Sequence, residues 1–317
     1  MRFLLLLLFP VMVHAQSYPN KPVRMIVPFA PGGASDFVGR IMQPRLSELL
    51  GQQVIVENRA GASGNIGLDY SAKAPADGYT FFLGNIGTVA INPAVFASTL
   101  AVVPTRDFIA VTQVVDVPSA LVAHPSLPAN NVKELVAYAK ANPGKLNYGS
   151  PGSGSQNRLE MEVLRKLENL NMVHVPYKGG AGPATTGLIG GETNLMFVTV
   201  SSAIGHVRGG RLKLLGVSSA KRLGAAPDVP TLEESGYPDL TGGSWQGVFV
   251  PAGTPKEVVD RLLAAVLQTM QTQDVVTRLN NGGVEVVTSS PAAFSEFVAA
   301  ETRKWARVVK ESNATAD

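Results

Sequence analysis

The 317-residue chain contains no cysteine. This absence excludes disulfide bonds, thiolate metal ligands, cysteine nucleophiles and a lipid-modified N-terminal cysteine. Charged residues are few, at 16% of the chain, with 27 Lys and Arg against 24 Asp and Glu. No cluster of these bases alternates with aromatic residues, so nucleic acid is not an expected partner. Because 45% of the residues are hydrophobic, the chain can build large apolar cores, and its length predicts two domains.

Only one long apolar run occurs, and it lies at the N-terminus. Arg2 precedes the apolar residues 3–13, and the small side chain of Ala15 marks a cleavage point before Gln16. The run is too short to span a bilayer comfortably, and Pro10 interrupts it. We therefore expect residues 1–15 to be a secretory signal peptide and the mature chain to be exported.

Motifs for catalysis, metal binding and nucleotide binding are scarce. His124, His174 and His206 lack the His-x-x-x-His or His-x-Glu spacing of metal sites. There is no Gly-x-Ser-x-Gly elbow and no Gly-Lys-Ser/Thr phosphate loop, and "GSPGSG" lacks the spacing of a dinucleotide fingerprint. These absences favour a binding protein without a cofactor over an enzyme.

Strand-like apolar runs alternate with helices along the mature chain. The runs cover residues 23–29, 53–58, 79–85, 108–124, 146–149, 172–177, 194–200, 212–218, 245–251 and 284–287. Capping residues mark helix starts between them, for example Asn131 with Glu134 three residues later, and Ser155. Most runs are continuously apolar, which suits parallel strands buried on both faces, so the pattern predicts α/β domains. Pro44 is expected to kink the helix that follows Asp36 or to end it early.

Glycine-rich loops follow four of the predicted strands. The first, in "IVPFAPGGASDFVGRI" at residues 26–41, leads directly into a helix that begins near Ser35 and Asp36. The others lie at residues 58–64, 149–154 and 179–183. Glycine lets the backbone approach a ligand, and helix N-termini carry free N–H groups that suit an anion. A simple turn with a Ser or Asp cap is the alternative interpretation. If loops of two domains face each other, they enclose a small anion.

The order of these motifs resembles the solute-binding proteins of the tripartite tricarboxylate transporter family, also called Bug-type receptors. The motifs are "YPNKPVRMIVPFAPGGASDFVGRI", "LGQQVIVENRAGASGNIG", "KAPADGYTFFLGN", "LNYGSPGSGS", "VHVPYKGGAGPATTGLIGGETNLMF", "LKLLGVSSAKRLGAAPDVPTLEESGYP" and "WQGVFVPAGTP". The resemblance implies a type II periplasmic binding-protein fold, with two α/β lobes, a ligand cleft between them and two hinge crossings. It also implies a periplasmic, non-enzymatic receptor that delivers a small organic anion to a two-component membrane permease of the tripartite tricarboxylate type.

The resemblance further predicts how the chain divides and what it binds. The first lobe is expected to contain residues 16–116 and 244–317, and the second lobe residues 117–243. Hinges are expected near Val117-Pro118 and Gly243-Ser244. The ligands of the family are di- and tricarboxylates, acidic amino acids and aromatic acids. The receptor is expected to act as a monomer and to close its lobes over the ligand.

The ligand contacts that the resemblance implies fall on glycine loops and strand ends of both lobes. In the first lobe they are Pro31, Gly32, Gly33, Ala34, Ser35, Asp36, Gly84, Asn85 and Thr88. In the second lobe they are Ser150, Gly152, Ser153, Gly154, Ser155, Arg158, Tyr177, Lys178, Gly179, Thr199 and Ser201. Arg158 departs from the histidine that the family often has at this place. Its guanidinium either pairs with a second ligand carboxylate or lies on an exposed helix face.

Three alternatives stay open at this stage. The first is an exported enzyme acting on an organic acid, with Ser35 or Ser153 as nucleophile. The second is a sensor that presents a carboxylate to a membrane signalling protein. The third is a receptor for phosphate or another inorganic anion.

Overall fold

The computed structural model describes residues 18–312, so the predicted signal peptide lies outside the described residues. The strands are β1 (Val23–Val27), β2 (Val54–Asn58), β3 (Thr80–Asn85), β4 (Phe108–Ala123), β5 (Leu146–Ser150), β6 (Met172–Pro176), β7 (Leu195–Thr199), β8 (Lys213–Val217), β9 (Gly243–Pro251) and β10 (Glu285–Val286). The helices are α1 (Ala34–Leu50), α2 (Asn65–Ala72), α3 (Asn92–Val95), α4 (Pro104–Asp107), α5 (Val132–Ala141), α6 (Gln156–Glu168), α7 (Ala181–Ile189), α8 (Val200–Arg208), α9 (Lys256–Gln271), α10 (Gln273–Asn281) and α11 (Pro291–Ser312). Every predicted strand is confirmed, with ends within two residues of those expected. No helix among residues 18–312 combines the length and the apolar character that a membrane span requires.

The strands form two sheets with parallel centres. The first sheet has the order β2-β1-β3-β9-β4, with β10 also paired to β4, and β1 runs parallel to β2 and β3. In the second sheet, β5 runs parallel to β6 and β7, while β7 and β8 flank β4. Strands β4 and β9, which connect the sheets, pair antiparallel with their neighbours. The sheets are therefore mixed, and parallel pairing is confined to strands followed by helices.

Strand β4 belongs to both sheets. Its residues 108–118 pair with β9, and residues 119–123 pair with β7 and β8. The chain returns to the first sheet at Gly243, which pairs with Pro118. The two sheets thus define a first and a second lobe, and the chain crosses between the lobes twice. The lobe limits predicted from the sequence lie close to these crossings and stay a prediction.

Each lobe has its own apolar core on both faces of its sheet. In the first lobe, α1, α9 and α10 cover one face, and an aromatic cluster with α11 covers the other. The second lobe has two further clusters of its own. Leu159 of α6 is an exception, because it is 2% exposed and belongs to the aromatic cluster of the first lobe. The lobes therefore touch through at least one side chain that crosses between them.

Capping residues start two helices as the sequence predicts. Asn131 Oδ1 accepts a hydrogen bond from the Glu134 N–H at 2.9 Å, and Asn131 Nδ2 donates to Glu134 Oε1 at 2.8 Å. Ser155 Oγ accepts from the Arg158 N–H at 3.2 Å at the start of α6. Helix α1 differs, because its N-cap is Gly33 and no side chain caps it.

Helix α1 continues through Pro44 to Leu50, so the expectation that Pro44 ends it early was wrong. Pro44 is exposed and removes one helical hydrogen bond, to the carbonyl of Arg40. Met42 and Leu46, on either side of it, are fully buried in the first lobe's core. Burial of this apolar face outweighs the local cost of the proline, as tertiary packing commonly does in helices.

Replacing Pro44 with alanine is expected to stabilise the protein. The new N–H can donate to the Arg40 carbonyl, which is worth up to about 3 kcal/mol by helix propensity. Without the proline, the unfolded chain has more conformational entropy, which offsets about 0.4–1 kcal/mol of this gain. Urea denaturation should show a rise of roughly 1–2 kcal/mol in the free energy of unfolding. Pro291→Ala, at the first position of α11, is the control and should change little, because that N–H has no helical acceptor. An unchanged or lower value for Pro44→Ala would contradict this account.

Candidate functional site

A small cavity lies between the lobes, where parallel strands of both sheets end. It is lined by Phe29, Gly33, Ala34, Ser35, Asn85, Ile86, Gly87, Pro151, Gly154, Ser155, Gln156, Asn157, Ala181, Thr199, Ser244 and Gln246. The loops after β1 and β5 therefore face each other across it, as the sequence predicts. Its volume is about 50 Å³.

The cavity lining combines apolar and neutral polar residues and carries no charged side chain among the described residues. Among the described residues that line it, none is Lys, Arg, His, Asp or Glu. The first turns of α1, α6 and α7 all reach it. N–H groups in a first helical turn lack helical acceptors, and the helix dipole adds partial positive charge there. Within residues 18–312, no group of acidic and histidine side chains is arranged to hold a metal ion.

A buried carboxylate holds the first glycine loop. Asp36 Oδ2 accepts from the Gly32 N–H at 3.1 Å, and Oδ1 accepts from Arg40 Nε at 2.8 Å and Asn58 Nδ2 at 3.0 Å. Gly32 has a φ of +90°, which favours glycine. Asp36 is 5% exposed, and the adjacent Arg40 compensates its charge. The carboxylate therefore holds the loop through the Gly32 N–H instead of capping α1.

The second glycine loop is held by hydroxyl groups. Ser155 Oγ donates to the Gly152 carbonyl at 2.7 Å, and Ser150 Oγ lies 2.7 Å from His174 Nε2. Gly152 has a φ of +122°, again in the region that favours glycine. These contacts orient the loop so that Gly154 and Ser155 reach the cavity.

The carboxylate of Glu160 lies one turn along α6 from the cavity residues Gln156 and Asn157. Ser119 Oγ and Gln156 Nε2 donate to Glu160 Oε1 at 2.8 and 2.9 Å, and Asn157 Nδ2 donates to Oε2 at 3.0 Å. Burial raises the pKa of Glu160 to about 7, and these three hydrogen bonds partly oppose the rise. All three donors are neutral, so no cation stabilises the carboxylate form.

The lobes also touch through their backbones beside the cavity. The Ala30 N–H in the first lobe donates to the Gly179 carbonyl in the second at 3.0 Å. Gly182 in α7 packs so closely that an added Cβ would lie 2.3 Å from the Pro31 carbonyl oxygen. The structure is therefore a closed arrangement, and glycine is required at this contact.

The residues that the sequence predicts as ligand contacts fall into three groups. Those that line the cavity are Gly33, Ala34, Ser35, Asn85, Gly154, Ser155 and Thr199. Those that line shallow outer grooves between the lobes are Pro31, Gly32, Asp36, Tyr177 and Ser201. Those that line neither the cavity nor these grooves are Gly84, Thr88, Ser150, Gly152, Ser153, Arg158, Lys178 and Gly179. Their contacts with a solute stay a prediction.

Some residues outside the cavity have an evident structural role. An added Cβ on Gly84 would lie within 2.9 Å of Phe82 and Phe249, so glycine makes room for the aromatic cluster. Thr88 closes the turn after β3, where its N–H donates to Asn85 Oδ1 at 3.0 Å. Arg158 is 8% exposed and donates to the Ser153 carbonyl at 3.2 Å. The alternative that placed Arg158 on an exposed helix face was therefore wrong.

Several cavity residues were not among the sequence-based predictions. Ser244 and Gln246 flank Trp245 on β9, and alternation along a strand places both on the face opposite the tryptophan. That alternation was a usable signal. Gln156 and Asn157 occupy the first turn of α6, directly after its predicted cap. Their position follows from the cap, but their orientation depends on Glu160 and Ser119, which only the folded chain brings together.

Comparison with known families agrees with the two-lobed fold and the inter-lobe cavity. Residues 38–314 match the family described as Tripartite tricarboxylate transporter family receptor. The chain belongs to this family. It is thus a solute-binding receptor of the Bug type, a family of periplasmic binding proteins, and the resemblance stated from the sequence is confirmed.

Three solved structures are similar over nearly the whole receptor. Periplasmic binding protein BugD is 34% identical with a TM-score of 0.90, covering 95% of this chain and 100% of that chain. Rpa4515 of R. palustris with adipate is 34% identical with a TM-score of 0.90, covering 94% and 99%. MatC (Rpa3494) from Rhodopseudomonas palustris with bound malate is 32% identical with a TM-score of 0.86, covering 92% and 100%. The expected periplasmic binding-protein fold is confirmed.

Replacing Gly182 with alanine is expected to oppose closure of the receptor. The added Cβ would meet the Pro31 carbonyl of the other lobe, a backbone group that cannot move independently. We expect the affinity for the receptor's solute to fall at least tenfold, or about 1.4 kcal/mol, with the melting temperature of the ligand-free chain little changed. Gly205→Ala, in α8 with no atom within 4 Å of the added Cβ, is the matched control. Equal affinities of the two variants in isothermal titration calorimetry would contradict the contact.

Glu160 is expected to make stability fall as pH rises. Its pKa of about 7 in the folded chain exceeds the 4.5 of an exposed glutamate, so the folded chain retains a proton that the unfolded chain loses between these values. The effect is at most about 1.4 kcal/mol per pH unit. Glu160→Gln removes it. The stability of wild type relative to Glu160→Gln should therefore decrease from pH 5 to pH 7.5 in urea denaturation. A difference that does not vary with pH would show that Glu160 titrates normally.

Proposed function

We propose that this receptor captures a small carboxylate between its lobes and delivers it to a two-component membrane permease of the tripartite tricarboxylate type. The observation that supports this proposal most directly is the cavity between the two facing glycine loops, which three helix N-termini reach and which no charged side chain lines among the described residues. Export by a cleaved signal peptide at residues 1–15, and action as a monomer, belong to the same proposal. The permease partner rests on family membership alone.

The geometry of the cavity favours a carboxylate over a cation or an apolar solute. The α1 N-terminus approaches from the first lobe, and those of α6 and α7 approach from the second. An anion with a charge at each end would meet a helix N-terminus in each lobe. Malate and adipate, bound by two of the similar proteins, are both dicarboxylates. The small cavity, about 50 Å³ in volume, disfavours a solute as large as a nucleotide.

Catalysis is not part of the proposal. Ser35 lines the cavity at 2% exposure, but none of the described lining residues is a base that could activate its hydroxyl. Ser153, the other nucleophile considered, does not line the cavity. The site as built can bind and enclose an acid, and it lacks the paired groups that acyl transfer requires.

The proposed motion is closure about the two crossings between the sheets. At the first crossing, the Ser119 N–H donates to Ser218 Oγ at 2.7 Å, and the Gly242 N–H near the second crossing donates to the Ser218 carbonyl at 2.9 Å. These bonds tie both crossings to the end of β8. We propose that the lobes rotate about this point, with limits near residues 116–117 and 243–244.

Ligand binding is expected to be selective for small organic acids. The mature chain would be titrated calorimetrically with succinate, malate, citrate, adipate, glutamate, benzoate, phosphate and ATP. We expect a C4 dicarboxylate to bind most tightly and phosphate and ATP not to bind. A ligand at a hundredfold its dissociation constant should also add about 2.7 kcal/mol of stability, visible as a rise in melting temperature. Binding of phosphate or ATP without any carboxylate would contradict the proposal, and consumption of the bound acid, followed by NMR, would favour the enzyme.

A further inference from the structure

Two side-chain amides that line the cavity have a fixed orientation. Gln156 Nε2 donates to Glu160 Oε1 at 2.9 Å. Asn157 Nδ2 uses both of its hydrogens, donating to Ser119 Oγ at 2.8 Å and to Glu160 Oε2 at 3.0 Å. Exchanging either amide nitrogen for its oxygen would place two acceptors against each other, because a carboxylate cannot donate. The carboxylate therefore accepts one N–H from each amide, which turns both carbonyl oxygens away from Glu160.

Two carbonyl oxygens of cavity residues have no hydrogen-bond donor among the described residues. Gln156 Oε1 is buried and has no hydrogen-bond partner among the described residues, and its side chain is 7% exposed. From the first lobe, Gln246 lines the same cavity at 1% exposure, and its Oε1 likewise has no partner in the described part of the chain. A buried acceptor left without a donor costs about 1–3 kcal/mol. A molecule that enters the cavity with a hydroxyl or N–H group removes this cost.

We infer that Glu160 is a positioning residue that sets the class of solute: it holds the Gln156 amide so that its oxygen accepts from the ligand, and the site prefers an acid that carries a hydroxyl or N–H donor over the unsubstituted acid of the same length. This inference deepens the proposed function and rests on it. The carboxylate ends of the ligand use the helix N-termini, whereas the donor group uses the amide oxygens. Charge alone therefore does not determine which acid binds best.

The similar proteins illustrate why such a selection is needed. Malate, bound by MatC, carries a hydroxyl group, and adipate, bound by Rpa4515, does not. Both acids offer two carboxylates to a cleft of this fold. Discrimination between them must come from the size of the cavity and from groups that recognise the carbon chain. In this receptor, the amides held by Glu160 are polar side chains of that kind.

The test compares acids that differ only by one hydroxyl. Dissociation constants of the intact mature chain would be measured calorimetrically for malate and succinate, 2-hydroxyglutarate and glutarate, and mandelate and phenylacetate. The measurements are made at pH 8, because burial raises the pKa of Glu160 to about 7 and the carboxylate form must dominate. For a pair that binds, we expect the hydroxylated acid to bind at least tenfold more tightly.

Variants separate this preference from a general loss of structure. Gln156→Met keeps the length of the side chain and removes its acceptor. Glu160→Gln replaces one carboxylate oxygen with an NH₂ donor, so it can no longer accept from both amides. Each should lower the preference for the hydroxylated acid to threefold or less. Glu162→Gln, on the same helix with its carboxylate bonded to Tyr148 and Arg165, is the control and should keep the wild-type preference. If Glu160→Gln does not fold, Gln156→Met alone carries the test.

The outcomes are distinct for the inference and for the proposed function. Equal binding of both members of a pair, or tighter binding of the unsubstituted acid, overturns the inference and leaves the carboxylate receptor intact. Variants that weaken both acids equally and keep the wild-type ratio also overturn it, because that is the effect of a structural role alone. Failure of every carboxylate to bind overturns the proposed function and the inference together.

Discussion

The constraint on which this receptor depends is the loss of water around an anion that enters a closed cavity. A carboxylate moved out of water must regain its hydrogen bonds, or the desolvation cost prevents binding. In the proposed function, backbone N–H groups at the starts of α1, α6 and α7 would meet this need, since no charged side chain lines the cavity among the described residues. Such donors are fixed by the helices themselves, so they lose little conformational freedom on binding. The glycine loops that precede α1 and α6 follow from the same need, because they bring the backbone close to the ligand.

Two buried carboxylates outside the cavity lining support this neutral site. Asp36 holds the loop of the first lobe through the Gly32 N–H, and Glu160 holds the amides of the second lobe. Their environments differ. Arg40 compensates the charge of Asp36, whereas only neutral side chains donate to Glu160, and burial raises its pKa to about 7. Asp36 therefore holds the backbone of the first glycine loop, whereas Glu160 orients two side-chain amides and has a raised pKa.

The sequence predicts much of this architecture because its signals are local. Mostly apolar runs mark the strands, and the Asn131 and Ser155 caps mark helix starts that the structure confirms. Pro44 was misjudged because a local helix-breaking preference competes with core packing that the sequence does not display. Gln246 was missed because its place in the cavity depends on β9 returning beside β4, a contact between distant segments. Local chemistry thus predicted the loops, while the side chains facing the solute depend on tertiary pairing.

The most direct test of the account is small-angle X-ray scattering from the mature receptor before and after addition of saturating malate. The account predicts that the radius of gyration falls on binding and that the liganded profile matches the closed arrangement, in which the Ala30 N–H meets the Gly179 carbonyl. An identical profile in the two states, with malate bound by calorimetry, would contradict it. Malate would then be held without the lobes closing over it, and the cavity between them would not be the site.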